Sequence, residues 1–157
     1  MEASANRVWE LMDSMRFCML TSWNGKTQRS RPMTSRVSKE DHAIYFLDQA
    51  NSEKEREIET YSAVSLAFSD TGANRYLAIA GHAQVSNDRQ IIKKLWSEFD
   101  KTFFDSVDDP KIRLIKITPE SAELWEGPNK VATIIKMLAA ATTGYKPSMG
   151  ETKRVAL

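Results

Sequence analysis

The sequence predicts a mainly β fold of the α+β class, a small β-barrel with helices added to it. Three observations favour this prediction: the chain has many short strand candidates, turn-forming residues separate them, and the helices between them are short. Folds built from βαβ units instead alternate strands with helices throughout. Because one architecture serves many functions, the fold alone does not name an activity.

The first half of the chain is expected to form a helix and three strands. Ser4 can cap the helix, whose apolar residues then share one face at helical spacing. Two strands at 17–23 and 27–35 flank Asn24-Gly25, the residue pair that most strongly favours a two-residue type I′ turn. The third strand, at 42–48, follows a polar turn.

The second half is expected to supply four strands and two helices. In chain order these are strands at 63–69 and 75–86, a helix from Asp88, strands at 112–118 and 121–127, and a helix at 129–142. Pro119 is expected to separate the last two strands. The predicted domain is therefore 1–142, and the polar tail 143–157 is expected to be loose or to dock on another chain.

The composition limits the possible partners. The 157 residues fit one domain, and 22 Lys and Arg against 21 Asp and Glu leave a net charge of +1. Such a balance gives no reason to expect nucleic acid or an anionic membrane. Cys18 is the only cysteine, which excludes an internal disulfide. No apolar run is long enough to cross a bilayer and no signal-like segment opens the sequence, so we expect a cytoplasmic protein.

The segment FLDQANSEKEREIE, residues 46–59, changes abruptly from apolar to charged. Its Ser52-Glu53-Lys54-Glu55 fits a capping box, in which Ser52 accepts from the amide of Glu55 and Glu55 reaches back. The same helix start also offers free amides, Ser52 and Lys54 to an anion such as phosphate, although Glu53 and Glu55 compete for its positive end. Both interpretations remain open.

The second strand carries arginines that suit an anion. By the period-two rule, Arg29, Arg31 and Met33 share one face of this strand. An arginine fork can hold a phosphate through two parallel hydrogen bonds. Alternatively, the arginines are solvated charges on the outside of a barrel. Pro32 indicates that the strand is interrupted there or lies at a sheet edge, where free backbone groups could bind a planar polar ligand.

Several segments together resemble a known family. In chain order they are SRPM at 30–33, IYFLDQANSEK at 44–54, YLAIAGHAQV at 76–85, Leu95-Trp96, DDPKIRLIKI at 108–117 and AELWEG at 122–127. This order and spacing resemble the flavin-binding split-barrel family that includes pyridoxamine 5′-phosphate oxidase, most closely its bacterial general stress protein branch. The resemblance covers roughly residues 8–127. It implies a homodimer of six-stranded antiparallel split barrels with two FMN molecules between the subunits. FAD is a further possibility, since an adenylate could extend outward beyond the phosphate.

The resemblance assigns three residues to the FMN phosphate. Arg31 matches the arginine that holds it, and Ser52 and Lys54 match the serine and lysine that follow the third strand. We call these three residues the phosphate site.

Seven further residues match positions near the flavin ring. They are Pro32, Met33 and Thr34 on the second strand, Leu47 and Asp48 at the end of the third strand, Tyr76, and Trp125, which reaches the flavin pocket across the dimer in the family.

Three departures from the family pattern bear on activity. Asp48 stands where threonine is common, and Glu53 replaces a basic residue of the oxidase. The oxidase also follows its Trp-x-Gly with an arginine and histidine pair for the substrate phosphate, whereas this chain continues with Pro128-Asn129-Lys130. We therefore do not expect oxidation of pyridoxamine phosphate.

Three functional interpretations follow. The first is a flavin-binding stress-response protein with oxidoreductase-like activity, and the second is a protein that sequesters or senses flavin without catalysis. The third, a nucleic-acid binder that uses Lys26, Arg29, Arg31 and Arg36, is disfavoured by the near-neutral charge. No catalytic residue stands out, and no metal is expected because the two histidines lack ligand spacing.

Overall fold

The computed structural model describes residues 2–157, which form one antiparallel sheet curled into a half-barrel with four α-helices. The elements in chain order are α1 (Glu2–Met15), β1 (Phe17–Trp23), β2 (Gln28–Thr34), β3 (Arg36–Ser38), β4 (Ala43–Gln49), α2 (Glu53–Thr60), β5 (Ala63–Asp70), β6 (Arg75–Ser86), α3 (Arg89–Leu95), a 3₁₀ helix (Glu98–Thr102), β7 (Ile112–Glu126), α4 (Lys130–Thr143) and β8 (Glu151–Ala156). The mainly β, split-barrel class predicted from the sequence is confirmed.

Strand β7 pairs with three other strands of the sheet, β4, β6 and β8. The strand order is β2-β1-β5-β6-β7-β4-β3, and β8 pairs with β7 beyond the end of β4. The first part of β7 pairs with β4, from Ile112 opposite Gln49 to Ile117 opposite Ile44. Its second part pairs with β8. One long strand therefore joins two regions of the half-barrel, while β2 lies at the edge of the sheet.

The main core lies inside the curl. Alternate residues of β1, β5 and β6 point inward, as their burial patterns show. Helix α1 packs into the same space with Val8, Leu11 and Met12, all at most 2% exposed. Burying such side chains is the main driving force for folding. A smaller second core forms around α3, where Tyr45 and Ile92 pack together.

Strand β4 separates these two cores. Ile44 and Phe46 belong to the main core, whereas Ala43 and Tyr45 belong to the second one. A strand that is buried on both faces carries a continuous apolar run, which explains the AIYFL sequence. The carboxyl end of β4 is thereby fixed in position, and the candidate site begins there.

Two local predictions are wrong. Helix α1 begins at Glu2, so Ser4 lies inside the helix and does not cap it; the alanine-rich start supports the longer helix. The hairpin between β1 and β2 is confirmed, but Trp23 pairs with Gln28, so its loop has four residues and is not a two-residue type I′ turn. Asn24 Oδ1 closes this loop by accepting from the amides of Lys26 and Thr27.

The strand count also differs from six. The strands predicted at 112–118 and 121–127 form one continuous strand, β7. Gly81 pairs with Pro119 and Ala80 with Ser121, so Glu120 is an extra residue in a β-bulge that accommodates the proline. The three-residue β3 and the strand β8 bring the total to eight.

The polar tail is ordered on its own chain. Strand β8 pairs with residues Ser121 to Glu126 of β7, and the Leu157 amide donates to Glu120 O at 3.0 Å. Val155 anchors the strand because its side chain is 8% exposed. The expectation of a loose tail, or one that docks on another chain, is therefore wrong. Beyond the end of β4, one edge of β7 has free backbone groups with which the tail pairs. The composition of the tail alone did not indicate this partner.

Candidate functional site

A cleft of about 410 Å³ lies where the ends of β2 and β4 approach the 3₁₀ helix. Five of the residues predicted to lie near a flavin ring line it. They are Pro32, Met33, Thr34, Leu47 and Asp48. The volume falls in the usual range for a small-molecule site, and the lining is mostly apolar with a few polar groups. The structure therefore brings together the second-strand and third-strand parts of the predicted ring site.

The position of β2 explains Pro32. This strand pairs with β1 on one side only and ends the strand order of the sheet. A proline is tolerated there because its missing N–H leaves no central ladder bond unmade. The prediction of an edge at Pro32 is confirmed.

The start of α2 is capped by its own side chains. Ser52 Oγ accepts from the Glu55 amide at 3.1 Å, as predicted. The Glu55 carboxylate, however, accepts from the Asn51 amide and not from that of Ser52. Asn51 has a φ of 63°, a left-handed conformation that asparagine tolerates better than most residues. The abrupt change at residues 51–52 is thus a tight turn into a capped helix.

Two arginines of β2 face two glutamates of α2. Arg29 Nη1 lies 3.0 Å from Glu53 Oε2, and Arg31 Nη2 lies 3.1 Å from Glu57 Oε2. Two residues along a strand and four along a helix both advance about 6 to 7 Å, so the two pairs form side by side. The Arg29 pair is exposed and contributes little to stability, whereas the Arg31 pair is largely buried.

Arg31 is further fixed by Ser22 of β1. Its Nη1 donates to Ser22 Oγ at 2.7 Å, and Ser22 Oγ donates to Glu57 Oε2 at 2.5 Å. Burial alone would raise the pKa of Glu57, but the hydrogen bonds from Ser22 and Arg31 outweigh it and hold that pKa below its ordinary value. Glu57 is therefore ionised at neutral pH and orients the guanidinium.

Asp48 connects the cleft to the phosphate site. One carboxylate oxygen accepts from Ser52 Oγ at 2.6 Å, and the other lies 3.0 Å from Lys54 Nζ. The same side chain lines the cleft. The aspartate that departs from the family threonine thus holds two predicted phosphate-site residues at the mouth of the predicted ring site.

The phosphate site has donors left for a ligand. Arg31 carries five N–H groups and Lys54 three, of which the contacts described above use two and one. The ring part of a flavin mononucleotide fits the cleft by size and lining. The phosphate part has donors but no excess of positive charge, because each cation has a carboxylate beside it. The residues therefore fit the cofactor, with weaker phosphate attraction than the cations alone suggest.

Tyr76 and Trp125 lie side by side on the neighbouring strands β6 and β7. They are partners in the pairing of β6 with β7, and their ring centroids are 5.6 Å apart. Neither lines the cleft. Both adjoin the row of paired residues that runs across the sheet from Met33, which lines the cleft, through Cys18, Phe68 and Leu77 to Leu124. Within one chain, these two aromatic residues therefore lie at the same end of the sheet as Met33 but do not line the cleft.

Sequence reasoning missed one wall of the cleft. Asp100 of the 3₁₀ helix is 3% exposed, forms an ion pair with Arg36 of β3, and accepts from the Ser97 amide at 2.8 Å. Phe99 and Phe103 line the cleft beside this pair. The spacing of four residues between Phe99 and Phe103 was the available sequence signal, because it places both rings on one side of a helix. The ion pair could not be predicted in the same way, since Arg36 lies 64 residues before Asp100 in the sequence.

Other site types find no support in the described part of the chain. Within residues 2–157, no group of three or more His, Cys, Asp or Glu side chains could hold a metal ion. No helix in the same range is long and apolar enough to cross a membrane.

Comparison with known proteins identifies the family. The sequence model of the family described as "Pyridoxamine 5'-phosphate oxidase like" matches residues 3–148. General stress protein 26 of Bacillus subtilis (strain 168) is 28% identical over 97 residues, which cover 60% of this chain and 69% of that protein.

Solved structures share the fold. A Jannaschia sp. CCS1 protein assigned as a general stress protein 26 superposes with a TM-score of 0.80 at 24% identity, covering all of both chains. The general stress FMN/FAD binding protein of Xanthomonas citri superposes with a TM-score of 0.71 at 20% identity, covering 80% of this chain and 90% of that one. Since the family match extends over nearly the whole length, the chain belongs to the pyridoxamine 5′-phosphate oxidase like family.

Proposed function

We propose that the cleft binds a flavin mononucleotide, with FAD as a second possible ligand. In this proposal the ring lies against Pro32, Met33, Thr34 and Leu47, and the phosphate is held by Arg31, Ser52 and Lys54. The observation that carries the proposal is the position of Asp48, which lines the cleft and also holds Ser52 and Lys54. A ligand that fills the cleft would therefore extend directly to the phosphate site. The Xanthomonas citri relative, described as FMN/FAD binding, supports the same ligand class.

The bound flavin would supply the redox chemistry, and the chain would supply binding and orientation. The titratable residues among those that line the cleft are Arg36, Asp48 and Asp100, and each is engaged in an ion pair. In this proposal the activity is flavin-dependent electron or hydride transfer, which needs no dedicated general acid or base. A homodimer in the cytoplasm, with Trp125 reaching the second cleft, belongs to the same proposal.

Oxidation of pyridoxamine phosphate is not part of the proposal. The residues that follow Trp125 begin a helix at the point where the oxidase carries its substrate pair. Asn129 caps α4 by accepting from the Ala132 amide at 2.8 Å, and Pro128 O accepts from Thr133 Oγ1 at 3.2 Å. This segment thus caps a helix and offers no cationic pair for a second phosphate.

The phosphate assignment is tested by comparing FMN with riboflavin. Riboflavin has the same ring without the phosphate, so the ratio of the two affinities reports on the phosphate site. We expect the wild-type chain to bind FMN more tightly. Arg31→Ala and Lys54→Ala should each weaken FMN binding by about 1 to 3 kcal/mol, as for a lost charge-assisted hydrogen bond, and leave riboflavin binding nearly unchanged. Titration calorimetry measures both constants.

Lys93→Ala is the matched control, because Lys93 is an exposed lysine of α3 whose nearest acidic partner, Asp108, is 3.8 Å away. It should change neither affinity. Equal wild-type affinities for FMN and riboflavin would refute the phosphate assignment, and binding of neither would refute the flavin proposal.

A non-catalytic role in flavin sequestration or sensing is the second candidate. It is favoured by the engagement of every titratable cleft residue described above. The two candidates differ in steady-state turnover: flavin-loaded protein that oxidises a nicotinamide cofactor with an added acceptor is an enzyme. Flavin-loaded protein that is inactive with all donors tested supports sequestration.

A further inference from the structure

Asp48 competes with a ligand for the donors of the phosphate site. The single hydroxyl hydrogen of Ser52 is donated to Asp48 Oδ2 at 2.6 Å. The Ser52 oxygen in turn accepts from the Glu55 amide at 3.1 Å. Lys54 Nζ lies 3.0 Å from the other oxygen of Asp48. A phosphate can therefore receive a hydrogen bond from Ser52 only if the bond between Ser52 and Asp48 breaks.

Four ion pairs lie at the phosphate site. One is the Asp48–Lys54 pair, and the others join β2 or β7 to the same helix α2: Arg29–Glu53, Arg31–Glu57 and Arg113–Glu55. Arg56 of α2 is exposed and donates to Asn51 O at 3.2 Å. Within the four pairs each cation is matched by a carboxylate, so their charges cancel. A ligand phosphate thus meets strong donors without a net positive charge from these pairs.

Asp48 is the carboxylate of these pairs that also lines the cleft. Its side chain is 10% exposed and that of Lys54 is 16% exposed, whereas the side chain of Glu53 is 60% exposed. Water and salt screen a buried charge much less than an exposed one. The charge of Asp48 therefore acts on a ligand in the cleft more strongly than the charge of Glu53 does.

The distance between Asp48 and a bound phosphate is limited by their shared donor. An oxygen that accepts from Lys54 lies about 2.7 to 2.9 Å from Nζ, so it is within about 6 Å of Asp48 Oδ1. The repulsion from the carboxylate at this distance is proportional to the charge of the phosphate. The cost of removing the phosphate from water rises more steeply, with the square of its charge. A second negative charge on the phosphate is therefore unfavourable at this site.

A singly charged phosphate monoester also suits the hydrogen-bonding groups of the site. It keeps one O–H, which can donate to a carboxylate oxygen such as those of Asp48. A doubly charged monoester has acceptors only, as an ionised carboxylate has. Two groups that only accept cannot form a hydrogen bond with each other, so nothing compensates the repulsion between the doubly charged form and Asp48.

We propose that Asp48 makes the phosphate site select ligands by charge, so that a phosphate with one negative charge is bound more tightly than one with two. This inference rests on the proposed function, because it takes the flavin phosphate as the ligand of the site. The threonine that is common at this position in the family carries no charge and would not distinguish the two forms in this way. Asp48 is thus assigned to ligand specificity, in addition to holding Lys54 in place.

Three flavins separate the contributions to binding. Riboflavin has no phosphate, and each phosphate of FAD carries one charge at neutral and mildly acidic pH. FMN is a monoester with a second phosphate pKa of about 6, so its phosphate changes from mostly one charge to mostly two between about pH 5.5 and pH 7.5. The affinity for FMN relative to riboflavin therefore reports on charge selection, and the affinity for FAD relative to riboflavin is its control.

Titration calorimetry at constant ionic strength measures the three dissociation constants. For the wild type, the affinity for FMN relative to riboflavin should fall by about fivefold or more over this pH range, against about 25-fold if only the singly charged form binds. The affinity for FAD relative to riboflavin should stay constant. Asp48→Asn, which keeps the size of the side chain and removes its charge, should abolish the fall for FMN. Asp48→Thr should do the same and is the second variant if the first does not fold.

Two other effects would not change the pH profile in this way. A looser hold on Lys54 in the variants weakens the binding of both charge forms of the phosphate alike. The two histidines are the same in the wild type and the variants, and their ring nitrogens contact Pro119 O and Glu120. The wild-type profile also needs no variant, so it tests the proposal by itself.

Glu53→Gln is the matched control, because it removes a carboxylate from the same helix start but from an exposed ion pair. It should keep the wild-type profile. An equal loss of the profile in Glu53→Gln and Asp48→Asn would overturn the proposal, since the total charge and not Asp48 would then select the ligand. A wild-type FMN ratio that stays constant or rises with pH would also overturn it, while riboflavin binding would leave the flavin proposal standing. If neither riboflavin nor FMN binds, the flavin proposal fails and this inference fails with it.

Discussion

At the scale of single residues, the phosphate site is defined by its carboxylates as much as by its cations. Asp48 and Glu57 hold Lys54 and Arg31 in place before any ligand binds. Holding the side chains in this way reduces the entropy lost on binding, since long cationic side chains are otherwise mobile. It also lowers the net attraction for a phosphate. The site thus combines preorganised donors with a near-zero local charge.

Glu57 gives the fold a pH dependence that can be measured. Its pKa in the folded chain lies below the ordinary value of 4.5. The unfolded chain therefore binds this proton more tightly, so Glu57 stabilises the fold above about pH 4.5, and the contribution is lost as the pH falls through the lower folded value. We expect Glu57→Gln to lower the free energy of unfolding by about 1 to 3 kcal/mol at pH 7, and by less at pH 3, which lies below the ordinary pKa of the carboxyl.

Urea unfolding of both proteins at the two pH values measures this difference, because the effects of other carboxyls are common to both. Glu53→Gln is the matched control on the same helix, since its pair with Arg29 is exposed and should contribute no more than about 1 kcal/mol. Parallel pH profiles for the wild type and Glu57→Gln would contradict the assignment.

At the scale of elements, the sequence predicted those features that local chemistry determines. The first five predicted strands, α2 with its Ser52 cap, and the edge position of Pro32 are confirmed. The missed features depend on partners remote in sequence. Arg36 meets Asp100 across 64 residues, and β8 forms only because β7 offers it an edge. Neither partner could be identified from the composition of its own segment.

The β-bulge opposite Pro119 shows how one long strand tolerates a proline. Gly81 lies so close to the bulged strand that an added Cβ would be 2.4 Å from Thr118 O and 3.0 Å from Pro119 Cα. Both are backbone atoms, which cannot move aside as a flexible side chain could. We therefore expect Gly81→Ala to destabilise the protein by about 1 to 3 kcal/mol through overpacking.

Gly72→Ala serves as the comparison in urea unfolding. It lies in the turn before β6, and its added Cβ would be 3.4 Å from the nearest atom, Asp70 Oδ1. Its effect should stay within about 0.5 kcal/mol. If the two variants unfold at the same urea concentration, the close packing at Gly81 does not contribute to stability.

At the scale of the whole molecule, the question is how Tyr76 and Trp125 could contribute to a cleft that neither of them lines in one chain. Five of the ten predicted residues line the cleft, whereas Tyr76 and Trp125 lie on β6 and β7 and do not line it. In the proposed dimer, each ligand site draws on both chains, so assembly and ligand binding become one equilibrium.

This coupling predicts that flavin tightens the dimer. If the cleft is complete only when a second copy covers it, FMN binds the dimer better than the monomer, and by reciprocity it must lower the dimer dissociation constant by the same factor per site. We expect sedimentation equilibrium at low protein concentration to show about a tenfold or larger decrease of that constant in saturating FMN, the lower part of the usual range for coupled sites. A dissociation constant that does not change with FMN would mean that each chain holds its ligand alone.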